Sequence, residues 1–231
     1  VSARVIAALW GAVACGAPAT TPAAPAPPST PAPATPSPPA LPSPPATPPL
    51  VSLAALPPPS NARIAPPGTF HRGEAPAKKG KRALALCGDT LVSTTVRSQR
   101  VRDDVTDTDD AQAVRVACDA AWIVVGYAGL RPGPAQNLVD ANGAATLGTT
   151  RVARSADHQQ VIASVAGRDV VLVAGGAEDV VDAIFVGDLS GDGAVDVVVR
   201  ASGDNHERHF LFVSQATGGL TLAAWHETTG C

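Results

Sequence analysis

The chain has 231 residues, with 17 basic and 20 acidic side chains and a net charge of −3. That balance excludes binding to nucleic acid through overall charge. Residues 16–60 hold 18 of the 23 prolines, and residues 1–60 carry a single charged side chain, Arg4. The remaining 16 basic and 20 acidic residues lie beyond residue 60, which confines a folded core of net charge −4 (16 minus 20) to the C-terminal part.

The chain opens with "VSARVIAALWGAVACG". Arg4 precedes the small and apolar run Val5–Ala14, which is too short for a bilayer span of about 20 residues and reads as the centre of an export signal. The small residues before Cys15 resemble the lipobox of bacterial lipoproteins, with Ala12 standing where leucine is usual. The resemblance implies cleavage before Cys15 and a lipid on its thiol, which makes the membrane a partner. Gly16, rather than aspartate, after Cys15 implies an outer-membrane lipoprotein facing the periplasm or the exterior. Residues 1–15 are therefore expected to be a lipoprotein-type signal segment; the alternative is an ordinary signal peptide with an incidental cysteine.

Residues 16–65 are expected to form a disordered stalk. Proline mixed with Ala, Ser and Thr buries little apolar surface and lacks amide donors, which favours polyproline II. Forty-five such residues would reach on the order of 140 Å when extended.

Residues 66–231 are expected to be one compact, mainly β head, sandwich- or meander-like, with at most one short helix. The basic cluster of Lys78, Lys79, Lys81 and Arg82 reads as a solvated lead-in. Short Val-rich runs then alternate with Gly, Asn and Asp: 91–101, 113–118, 121–130, the hairpin 159–176 around "AGRD", and "AIFVGD", "AVDVVVR", "HFLFVSQ" and "LTLAAWHE". The five aspartates of 103–110 have no glycine turn and no ordered spacing, and read as a solvated loop. With Cys15 lipidated, Cys87, Cys118 and Cys231 are left; Cys87–Cys118 is the preferred disulfide, and Cys231 could reach either one.

The strongest chemical signal is "GDLSGDGAVDVVVR" at 187–200. Asp188, Ser190 and Asp192 put oxygens at alternate positions, Gly193 permits a sharp turn, Ala194 offers a carbonyl, and Asp196 closes the set. Hard oxygen donors at this spacing suit Ca²⁺. The apolar strands on both sides, in place of helices, argue against an EF-hand. The segment resembles the FG-GAP or VCBS type of calcium loop in a single-copy version, such as bacterial lipoproteins of unassigned function carry, over roughly residues 183–215. Ser190 stands where aspartate is usual, which implies weaker binding. A metal-free acidic turn is the competing reading.

His206, Glu207 and His209 are the other candidate chemistry, for a metal or a hydrolytic site. On a strand, a spacing of three sends His206 and His209 to opposite faces. No nucleophile elbow, HExxH, P-loop or dinucleotide fingerprint occurs. The expected function is an envelope-anchored lipoprotein displaying a calcium-stabilised binding or structural module, with a protein or polysaccharide partner. The alternatives are a secreted hydrolase near His206, Glu207 and His209, or an envelope inhibitor or assembly factor.

Overall fold

Three consecutive valines, Val197, Val198 and Val199, are fully buried, yet they belong to two different core clusters. Side chains alternate across a strand, so this run must lie in a sheet covered on both faces. A computed structural model describes residues 49–58, 61–71, 73–103 and 108–229 and shows how that is achieved. The expected signal segment with Cys15, the stalk up to residue 48, Asp104 and Asp107, and Cys231 lie outside the described residues.

No α-helix occurs among the described residues, and the single short helix allowed for is not found there. The first strands are β1 (Val51–Ser52), β2 (Arg63–Ala65), β3 (Gly68–Phe70), β4 (Arg82–Cys87), β5 (Thr90–Thr95), β6 (Arg97–Asp103), β7 (Thr108–Arg115), β8 (Ala120–Val125) and β9 (Gly133–Pro134). There follow β10 (Ala144–Leu147), β11 (Thr150–Arg154), β12 (Gln160–Val165) and β13 (Arg168–Ala174). The last four are β14 (Val180–Gly187), β15 (Asp196–Gly203), β16 (His206–Ser214) and β17 (Leu220–Thr229).

These strands make four sheets. β14-β15-β16-β17 is an antiparallel meander, and so is β10-β11-β12-β13, to which β1 adds a parallel edge. The other two are β2-β8-β4-β5-β9 and β3-β7-β6. One core cluster joins Val152, Val161 and Leu172 of the β10–β13 sheet to Val197, Val199 and Phe210 of the β14–β17 sheet. A second joins the opposite face of that sheet, through Phe185, Val198 and Leu211, to Ile64, Trp122 and Val124. A third joins Ala85 and Ile123 to Phe70 and Val114 of the smallest sheet. The β14–β17 sheet is thus sandwiched, which explains why its strands read as continuous apolar runs. Trp122 meets Phe185 edge-on with ring centroids 5.9 Å apart, the geometry aromatic quadrupoles favour.

The expected hairpin at 159–176 is β12–β13. Its turn residues Ala166 and Gly167 both have positive φ (50° and 77°), the requirement of a type I′ turn that matches strand twist. The head also begins earlier than composition alone indicates. Val51 and Ile64, inside the expected stalk, are buried in strands, because the runs 50–56 and 60–65 on either side of Pro57–Pro59 are free of proline and can pair and bury. The run 91–101 is two strands, broken at Val96, whose N–H bonds the Lys81 carbonyl while its carbonyl accepts from Gly80.

Cys87 and Cys118 form a disulfide, with Cα atoms 6.0 Å apart. It ties the end of β4 to the segment leading into β8, which pairs with β4.

Candidate functional site

The 188–196 loop joins β14 to β15, and the pair Gly187–Asp196 closes its neck. Apolar side chains pin it at both ends: Leu189 enters the core with Trp122 and Phe185, and Val195 enters the core on the other face. Between them Gly191 and Gly193 have φ of +77° and +81°, backbone that side-chain-bearing residues adopt at a cost of about 1–2 kcal/mol.

Asp196 sits at the base and is fully buried. Its Oδ2 accepts from the backbone N–H groups of Leu189 and Ser190, each at 2.8 Å. Its Oδ1 accepts from the Ser214 N–H at 2.8 Å and lies 3.2 Å from the Ser214 hydroxyl. Burial pushes this carboxyl above the usual range, and the backbone donors work against that shift. Expected to close a ligand shell, Asp196 instead turns its two oxygens to three backbone N–H donors, while the single Ser214 hydroxyl proton goes to the nearer Asp192.

Asp188 organises the turn above. Its Oδ1 accepts from Gly191 (2.6 Å) and Asp192 (3.2 Å) N–H groups, and its Oδ2 from Gly193 (2.8 Å). Ser190 Oγ stands 3.4 Å from Asp188 Oδ1. Asp192 accepts the Ala194 N–H at 2.9 Å and the Ser214 hydroxyl at 3.0 Å. The Ala194 bond is the main reason its carboxyl lies below the usual range. Lone pairs are left on Asp188 Oδ2 and both Asp192 oxygens; Asp192 is exposed and Asp188 half-buried. Among the described residues no group of three or more His, Cys, Asp or Glu is gathered to hold a metal ion. Asp188, Ser190 and Asp192 thus gather oxygen atoms in the turn, with Asp196 as the frame beneath.

Two residues of this site carry no motif signal. Ser214, at the end of β16, reaches both Asp192 and Asp196; only the β15–β16 register brings it there. Tyr127 comes from the segment after β8, and burial first, then the charge of Asp196, pushes its phenol pKa up. A cavity of about 400 Å³ opens beside the loop, lined by Gly193, Ala194 and Ser214 together with the turns at Gly148, Ala166 and Gly218.

The three candidates on β16 do not converge. His206 Nε2 lies 2.9 Å from Arg208 Nη1 and 3.4 Å from Asp179 Oδ1. His209 is buried with Nε2 3.3 Å from Glu207 Oε1, and burial lowers its pKa to about 4. Strand alternation puts His206 with Arg208 on one face and Glu207 with His209 on the other. His226, directly across from His209 on β17, is buried too; its Nε2 donates to the Glu74 carbonyl at 2.6 Å, and burial lowers its pKa. These histidines serve packing and strand-end hydrogen bonds.

No protein-family model, no curated protein and no solved structure matches this chain.

Proposed function

We propose that this chain is an exported, membrane-tethered lipoprotein whose β-rich head is a binding or structural module stabilised by calcium at the 188–196 loop. The observation that carries the reading is the donor arrangement: Asp188 and Asp192 keep free lone pairs in a sharp turn that Asp196 holds from within the core. Asp188, Ser190, Asp192 and the Ala194 carbonyl would hold the ion. When bound, it supplies positive charge that offsets repulsion between neighbouring carboxylates and links ion binding to stability. A metal-free acidic turn is the second reading, favoured by the backbone N–H groups that all three carboxylates already accept. Calcium-dependent melting separates the two.

The tether rests on the segment before the head, where Cys15 follows a short apolar run and precedes a proline-rich stretch. Mass spectrometry of the protein extracted from its native membrane is expected to find an acylated N-terminal Cys15. A Cys15 thiol that is free and internal to the chain would contradict the tether. In this arrangement the head meets a protein or polysaccharide partner within the reach that the stalk allows.

A further inference from the structure

The basic cluster that looks like a solvated lead-in is continued by residues far away in sequence. Gly80 and Lys81 bond backbone to backbone with Val96, one residue before Arg97, and Arg82 pairs with Thr95. Arg97 in turn lies directly opposite Arg115 across the β6–β7 pair. Lys78, Lys79, Lys81, Arg82, Arg97 and Arg115 are all exposed, and none makes an ion pair among the described residues. Like charges directly opposite on neighbouring strands destabilise a sheet. The fold therefore keeps an unfavourable contact that an anionic partner would relieve.

Two features narrow the partner. No aromatic residue occurs in 78–82, 94–97 or 113–115, so bases and sugar rings have nothing to stack on. The aspartate-rich stretch begins at Asp103, six residues along β6 from Arg97, or about 20 Å at strand spacing. Asp119 shares with Arg115 the lining of a cavity of about 350 Å³, without pairing to it. A dense layer of negative headgroups needs neither stacking nor a deep pocket, and a membrane tether would keep one within the head's reach.

We infer that this basic ladder is a docking surface for anionic lipid headgroups, which lays the head against the membrane to which the stalk attaches it. The inference rests on the tether proposed above, and its test does not. The full chain carrying Cys15→Ser, which has no lipid, is mixed with phosphatidylcholine vesicles with and without phosphatidylglycerol, and sedimented. Binding is expected only with phosphatidylglycerol and is expected to fall as salt rises. Adding Arg97→Glu, which sets a carboxylate opposite Arg115, is expected to weaken binding about fivefold or more, at the scale of one basic residue near a charged surface. The same change is expected to leave the melting temperature equal or higher, so weaker binding is not a folding defect. Indifference to phosphatidylglycerol, or undiminished binding by the Arg97→Glu chain, overturns the inference. Retention on heparin without retention on vesicles also overturns it, in favour of an anionic polysaccharide.

Discussion

Replacing Asp196 with alanine is expected to destabilise the head by about 3–5 kcal/mol, the largest effect of any single change in the loop. The side chain is fully buried and accepts from three backbone N–H groups. An alanine leaves those donors without an acceptor, at about 1–3 kcal/mol for each that stays dry. It also removes one of the two ties between the turn and the end of β16, leaving only the Ser214 hydroxyl on Asp192. Asparagine is no rescue, since its amide would place N–H donors against N–H donors. Urea unfolding measures the loss as a lower midpoint at similar slope. A matched Ser190→Ala change, which removes only a 3.4 Å contact, is expected to cost less than about 1 kcal/mol. A loss below about 1 kcal/mol for Asp196→Ala would show that the carboxylate is not the frame of the loop.

The second large effect is expected at the disulfide. Cys87 and Cys118 are 31 positions apart, and releasing a loop of that length is worth about 3–4 kcal/mol in the chain-entropy account. The double change to serine is expected to lower stability by that amount while leaving the strand content seen by circular dichroism unchanged. The bond reinforces a place where β4 and β8 already pair, with a register shift between Ala85 and Cys87. Peptide mapping under non-reducing conditions is expected to recover the Cys87–Cys118 link. Recovery of either cysteine joined to Cys231 would contradict that pairing.

Local pattern made much of this head legible. The β12–β13 hairpin and the last four strands follow from Val-rich runs between turn residues, where period and turn chemistry agree. Two-sided burial of Val197–Val199 could be suspected from their continuity, although the sheets that cover them are far off in sequence. The short strands β1, β2 and β3 were not legible, since two or three residues carry no period. Their place comes from pairing with β13, β8 and β7.

The loop divides in the same way. Oxygen spacing and the glycines are local, so the turn that carries Asp188, Ser190, Asp192 and Ala194 was readable from the motif. That Asp196 turns inward to Ser214 depends on the β15–β16 register, which no motif encodes. Arg97 and Arg115 likewise become neighbours only through the β6–β7 pairing, so the basic ladder looked in sequence like an ordinary charged lead-in.

Thermal unfolding of the full chain in millimolar Ca²⁺ and in chelator tests the central claim most directly. Calcium at about a hundred times its Kd is expected to raise the melting temperature by about 5–10 °C. Asp192→Ala, which removes a solvent-side donor and spares the Asp196 frame, is expected to abolish the rise. A wild-type chain that melts at the same temperature in calcium and in chelator would contradict the account and leave the loop a metal-free turn.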